Sequence, residues 1–258
     1  MNSDNVKIEI QHLTMAYGSY VVMRDINARI IRGSIFVIMG ESGAGKSTLL
    51  RNMVGLQHPA DGDVLYDGQS FWGLDEKARR VELRKFGVLF QSGALWSSMT
   101  LAENVALPLA EFTDWPLSDR QEVARLKLAL VGLGGFEDHY PAQISGGMRK
   151  RAGLARAMAL DPEILFFDEP SSGLDPILSR SLDELILELR DSLGATIVVV
   201  SHELASIFNI ADDSIMLDEE SKTVRAQGCP REMRDHSPDS KVRAFLTRGE
   251  FAHRSNVL

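Results

Sequence analysis

One run of residues constrains this chain more than any other: Gly40-Glu41-Ser42-Gly43-Ala44-Gly45-Lys46-Ser47-Thr48. It follows an apolar stretch, Ile35 to Met39, that reads as a short buried strand, and it opens a helix beginning near Lys46. A G-x-x-x-x-G-K-[ST] loop in that setting calls for an α/β fold. Its glycines let backbone N–H groups converge on phosphate oxygens, and the helix N-terminus adds partial positive charge. Lys46 then reaches the β- and γ-phosphates, and Ser47 can ligate Mg²⁺. A chance glycine-rich turn would lack the flanking strand and helix.

A phosphate loop of this kind needs a metal-facing acid at the end of a neighbouring strand. Ile164 to Phe167 is a fully apolar run that ends in Asp168-Glu169, so both acids emerge at a strand's carboxyl end, where parallel sheets place their ligands. Asp168 is expected to hold Mg²⁺ through water, and Glu169 to polarise an attacking water. Thr196 to Val200 reads as another buried strand, joined to the first by a helix from about Pro176 to Leu193. Strand, helix, strand implies a right-handed parallel crossover. The front of the chain is β-rich: Val6, Ile8 and Ile10 alternate with polar residues, apolar runs follow at Tyr20 to Met23 and Ile26 to Ile31, and Val64 to Tyr66 lies between Asp-Gly turns. From Thr100 to about Ala159 the spacing turns helical, with Leu101, Val105 and Leu109 on one stripe and Val123, Leu126, Leu130 and Leu133 on another.

The segment Ile144-Ser145-Gly146-Gly147-Met148-Arg149-Lys150-Arg151 lies shortly before the acids. Its Ser-Gly-Gly opens a helix whose N–H groups can take a γ-phosphate. Arg149, Lys150 and Arg151 fall in the first turns, where the helix dipole disfavours cations, and a nearby anion such as nucleotide would relieve the conflict. Here the chain resembles the ATP-binding cassette (ABC) ATPases. The resemblance runs from Ile8 to about Gly228, and it implies an α/β P-loop ABC core with an antiparallel β subdomain and an inserted helical subdomain. Residues 1–258 are then one ABC ATPase domain: roughly 1–95 and 160–228 form the core, 96–159 the helical insertion, and 229–258 a C-terminal helix and tail. Ser145, Gly146, Gly147 and Met148 match the signature that faces a partner's nucleotide, so a homodimer sandwiching two ATP molecules is implied. Tyr17 matches the aromatic that stacks on adenine. Gln91 matches the glutamine that reaches Mg²⁺ and the water, Asp175 the residue that communicates across the dimer, and His202 the histidine at the γ-phosphate. Two positions depart from the pattern, Ile144 for leucine and Met148 for glutamine; the second loses an amide near the nucleotide.

What such an ATPase drives is less tightly constrained, and length and charge narrow it. The 258 residues hold 28 Lys+Arg against 36 Asp+Glu, 28 − 36 = −8, which argues against a phosphate-coating nucleic-acid binder. Neither a long coiled-coil insertion nor a second cassette fits this length. The N-terminus has no apolar run, the single Cys229 argues for a reducing compartment, and no stretch approaches the length of a spanning helix. Any membrane role is expected to be peripheral, through a separate permease dimer. The runs Phe90 to Thr100, Ser145 to Ala157, Asp168 to Pro176 and Lys241 to Leu246 are similar to the MlaF/Mkl group of bacterial phospholipid-transport ATPases. That resemblance implies phospholipid transport between inner and outer membranes, action at the cytoplasmic face of the inner membrane, and MCE-domain and STAS-domain partners. In it, Leu95, Trp96 and Met99, with Ala94, form the lip of a groove for a permease helix; the plainer alternative packs Trp96 between the helical subdomain and the core. The tail, Thr247 to Leu258, reaches across to the other subunit or is a disordered end. Rival readings are an amino-acid-type importer ATPase and a non-transport cassette acting mechanically in cell-envelope or division machinery.

Overall fold

A computed structural model describes the backbone of residues 5–254 and the side chains of residues 5–248. In chain order the elements are β1 (Val6–Tyr17), β2 (Tyr20–Ile31), β3 (Ile35–Gly40), α1 (Lys46–Met53), β4 (Asp61–Tyr66), β5 (Gln69–Ser70), α2 (Glu76–Leu83), β6 (Phe86–Leu89), α3 (Leu101–Phe112) and α4 (Leu117–Leu130). They continue as α5 (Gly146–Ala157), β7 (Ile164–Asp168), α6 (Pro176–Leu193), β8 (Thr196–Val200), α7 (Leu204–Ile210), β9 (Asp213–Asp218), β10 (Thr223–Gln227), α8 (Pro230–His236) and α9 (Ser240–Arg254).

Every residue of β3, β7 and β8 is buried, the mark of a parallel sheet covered on both faces. These strands lie inside a six-stranded sheet of order β10-β9-β3-β8-β7-β6, parallel except for the edge strand β10. Successive side chains on a strand point to opposite faces, so each strand feeds two cores. Ile35, Val37 and Met39 join a core built with the helices, whereas Phe36 and Ile38 join one built with α1 and a second sheet. That second sheet is antiparallel, of order β2-β1-β4-β5. The fold class is the expected one: helices, a parallel sheet, then an antiparallel sheet. The apolar runs at Tyr20 to Met23 and Ile26 to Ile31 prove to be one strand, broken in register where Asp25 takes a φ of 50°.

Local signals set the helix ends near the site. Asp175 caps α6 by accepting from the N–H groups of Ile177 and Leu178, Pro176 occupies the first turn, and Gly194 closes the helix at φ 64°. Thr100 and Glu103 form a reciprocal capping box on α3. The α3 stripe Leu101, Val105 and Leu109 is buried as the periodicity predicts.

Of the predicted stripe Val123, Leu126, Leu130 and Leu133, Val123 packs against the core and Leu133, beyond the end of α4, is buried, but the two leucines between them are corrected. Leu126 and Leu130 are each 57% exposed, and the buried face carries Ala124, Lys127 and Leu128. Leucines occur around the whole helix, so spacing alone does not choose a face; small Ala124 goes inward, and Lys127 buries its stem while its ammonium pairs with Asp161. Among the described residues no helix is long and apolar enough to cross a membrane. Of the tail, residues 255–258 and the side chains of residues 249–254 lie outside the described residues.

Candidate functional site

The phosphate loop leaves the sheet from β3, between β9 and β8. Gly40 passes so close to β9 that a Cβ there would stand 2.6 Å from the Leu217 carbonyl oxygen, at a φ of 148°. Gly45 precedes α1 at φ 78° and no side chain caps that helix, which leaves its first N–H groups for a ligand. Ala44 anchors the loop in the core beneath, while Glu41, Ser42 and Gly43 are exposed. The Lys46 ammonium lies inside the curl of the loop, donating to the carbonyls of Gly40 at 3.1 Å and Glu41 at 2.8 Å. Burial lowers its pKa, opposed by the charges of Glu169 and Asp168. Tyr17, half exposed at the end of β1, sets its hydroxyl 3.4 Å from the Thr48 hydroxyl on α1.

The acids stand where the sequence puts them, at the end of β7. Ser47 Oγ donates to Asp168 Oδ1 at 2.9 Å, joining the phosphate loop to the acid across the intervening strand β8. Glu169 follows at a φ of 51°, a strained conformation for a residue with a side chain. Its amide donates to the Val200 carbonyl, and its Oε1 accepts from His202 Nδ1 at 2.8 Å. Its Oε2 is buried and has no hydrogen-bond partner. An unpaired buried carboxylate oxygen is costly unless something fills the site, and a polarised water or a ligand shell satisfies it.

These groups also fit a divalent cation. Among the described residues no cluster of three or more His, Cys, Asp or Glu side chains could hold a metal alone. The hydroxyl of Ser47 and the carboxylate of Asp168 suit Mg²⁺, which keeps waters and takes phosphate oxygens as its other ligands. Gln91 is exposed on the loop after β6, and its amide makes no hydrogen bond to Ser47, Asp168 or Glu169.

The Ser145–Met148 turn makes no hydrogen bond to these groups among the described residues. Ser145 caps α5 by accepting from the Met148 N–H at 3.2 Å, with Ser145 and Gly146 exposed, Gly147 against Leu174 and Leu178, and Met148 packed partly on the helical core. α5 packs on α3, α4 and β6, and no hydrogen bond links the turn to the chain's own phosphate loop. The three cations that follow differ from expectation. Arg149 donates to the Ile144 carbonyl, Arg151 to the Ser181 hydroxyl on α6, and Lys150 to the carbonyls of Glu169, Pro170 and Ser172. Carbonyl and hydroxyl acceptors inside the fold take their hydrogen bonds, and the Glu203 and Glu169 carboxylates supply nearby anions for Lys150.

The loop after Gln91 borders a cleft of about 340 Å³ lined by Phe86, Val88, Phe90, Ala94, Pro108, Phe112 and Arg156. Arg156 fixes its rim by donating to the carbonyls of Gly93 and Ala94. Leu95 packs against the helical core, Met99 is half-buried and Trp96 is 62% exposed, so Trp96 does not fill a gap between core and helices. Spacing gave no sign of the residue that shapes this loop. Asn104, fully buried on the apolar stripe of α3, accepts from the Trp96 N–H and donates to the carbonyls of Trp96, Met99 and Thr100. A lone amide amid Leu101, Val105 and Leu109 was the available signal.

The phosphate loop, the acid pair and the exposed Ser-Gly-Gly helix start together define a nucleotide-binding cassette. The family described as "ABC transporter" matches residues 23–172, and the chain belongs to that family. It is 42% identical over 241 residues to the probable ribonucleotide transport ATP-binding protein mkl of Mycobacterium tuberculosis, covering 93% of this chain and 66% of that protein. To MlaF of Haemophilus influenzae, the ATP-binding protein of an intermembrane phospholipid transport system, it is 38% identical, covering 93% of this chain and 89% of that one. The ATP-binding cassette MJ0796, solved as a post-hydrolysis dimer bound to ADP and Pi, superposes with a TM-score of 0.78 at 30% identity, over 85% of this chain and 97% of that one.

Proposed function

We propose that the chain hydrolyses ATP as the cytoplasmic subunit of a lipid-moving ABC transporter, powering phospholipid transport between inner and outer membranes through a separate permease. The observation that supports it most is the pairing at the ends of β7 and β8: Ser47 with Asp168, and beside them Glu169 held by His202 with its second oxygen unpaired. Lys46, the loop amides and the start of α1 bind the phosphates, and Tyr17 stacks on the base. Ser47 and Asp168, with Gln91 joining them, would hold Mg²⁺, which when bound would supply positive charge against the phosphate oxygens. Glu169 orients the attacking water, and His202, 2.8 Å from that carboxylate, faces the γ-phosphate. Ser145 to Met148 serve the nucleotide of a second copy, with Asp175 at that interface. In this reading residues 96–159 form the helical unit of a single cassette, and Leu95, Trp96 and Met99 meet a permease helix at the cleft.

The partners of this reading are a permease dimer, an MCE-domain protein and a STAS-domain protein, assembled at the cytoplasmic face of a bacterial inner membrane. Support for lipid cargo comes from the 89% coverage of the phospholipid-system relative, a nearly complete match. The name of the mycobacterial relative refers to ribonucleotides, and this chain spans less of that protein. Two measurements test the proposal. Glu169→Gln should abolish hydrolysis and leave an ATP-bound dimer on size exclusion; wild-type turnover in that variant overturns the assigned roles. The complex purified through this chain should carry phospholipid with its permease, and a division complex or a nucleotide-loaded permease would refute the lipid assignment.

A further inference from the structure

Lys150 lies within two turns of Ser145 on α5, yet it is only 7% exposed, and its ammonium reaches the segment that follows β7. A lysine has three N–H donors. Here the acceptors are the backbone carbonyls of Glu169 at 3.3 Å, Pro170 at 2.7 Å and Ser172. No other described side chain donates to these carbonyls. The stretch they belong to starts at the strained Glu169 and runs into the loop before Asp175. The stretch is otherwise held by Glu169 N–H to Val200, His202 to the Glu169 carboxylate at 2.8 Å, and two turn bonds, Ser172 N–H to the Glu169 carbonyl and Leu174 N–H to the Ser171 carbonyl.

The neighbouring cations do a different job, Arg149 closing its own turn and Arg151 bonding Ser181. Among the described residues, Lys150 is the one side chain of α5, the helix that starts at the exposed Ser145, that hydrogen-bonds the backbone of the catalytic carboxylate. Because α5 is a continuous twelve-residue helix, a small shift at its first turn is delivered to the Lys150 ammonium. We infer that Lys150 is a positioning residue that transmits engagement of the signature turn to Glu169 of the same chain. Closure on the partner's nucleotide thereby sets the geometry of this chain's own hydrolytic site. This rests on the sandwich-dimer reading above.

The test compares wild type, Lys150→Met, Lys150→Gln and Glu169→Gln in the intact complex, measuring ATP affinity, kcat, Hill coefficient and thermal midpoint. Lys150→Met should lower kcat by about tenfold or more while ATP affinity stays within about twofold. Its Hill coefficient should fall toward about 1 as the two sites uncouple. Lys150→Gln, whose amide can donate two of the three hydrogen bonds, should restore part of both. If Lys150→Met does not fold, Lys150→Gln carries the comparison, with kcat and Hill coefficient between wild type and uncoupled. Wild-type kcat and cooperativity in either folded variant, or a lowered thermal midpoint as the sole change, overturns the inference. Should Glu169→Gln hydrolyse ATP normally, the catalytic reading itself fails and this inference falls with it; loss of hydrolysis there beside a normal Lys150→Met defeats the inference alone.

Discussion

Asp218 shows how one side chain holds the C-terminal helix to the nucleotide side of the sheet. It ends β9, next to the strand that carries the phosphate loop, and it is 3% exposed. Burial alone would raise its pKa; hydrogen bonds from Lys241 on α9 and from the Ser221 N–H and hydroxyl outweigh that and hold it below the ordinary carboxylate range. Arg225 adds a contact at 3.2 Å and bridges on to Asp239. Arg248, further along α9, bonds Glu41 of the phosphate loop, so the start of the tail touches the loop of its own chain. The sign follows from the depressed folded-state pKa. Stability from Asp218 is fully present above the unfolded value of about 3.9 and is lost as pH falls below it toward the folded value. Thermal unfolding between pH 7 and pH 3 should therefore show a falling midpoint that is shallower in Asp218→Asn, and that variant should cost about 1–3 kcal/mol at neutral pH. An identical pH slope in both proteins would show that this carboxylate is not what α9 depends on.

Among the elements, the loop between β6 and α3 is governed by a residue outside it. Asn104→Ala removes four hydrogen bonds to the Trp96–Thr100 backbone, leaves buried polar groups unpaired, and should cost about 1–3 kcal/mol. It should also reduce capture of the permease, as should Trp96→Ala, with ATP affinity intact; undiminished capture in both variants would remove this loop from the contact. The same elements show which features could be read from sequence. β3, β7 and β8 were legible because full burial writes a continuous apolar run, and α6 because Asp175-Pro176 and Gly194 mark its ends. The placement of the Gly40–Thr48 loop between strand and helix and of Asp168 at a strand end was legible because apolar runs and glycines mark those boundaries. β6 is four residues long with a glycine inside it, too short for a periodic signal. The face of α4 was misread because tertiary packing chose among leucines that spacing left equivalent. The fate of Lys150 depends on carbonyls about twenty positions away, which no local pattern encodes.

For the whole molecule, no hydrogen bond links Ser145–Met148 to the phosphate loop among the described residues, and in the proposed sandwich-dimer reading no single copy completes a site. Ser145 and Gly146 are exposed at the start of α5 and make no hydrogen bond to Gly40–Thr48, while Ile177, 82% exposed beside Asp175, adds apolar surface on the face that α6 presents. In that reading a two-fold dimer would pair the loop of each copy with the turn of the other. This geometry predicts complementation between two inactive chains. Lys46→Ala disables the phosphate loop and Ser145→Arg blocks the signature turn, so neither homodimer should hydrolyse ATP. In a heterodimer, one site joins the intact loop of the Ser145→Arg chain to the intact turn of the Lys46→Ala chain, and the other site carries both lesions. Random mixing makes half the dimers heterodimers with one competent site in two, so activity should return to at most about a quarter of wild type. Coupling between the two sites, of the kind inferred for Lys150, would set the yield below that ceiling. Hydrolysis by either variant alone would mean that a site closes within one chain. Complete silence in a mixture where heterodimers are demonstrated by tagged pull-down would mean that one competent site does not suffice.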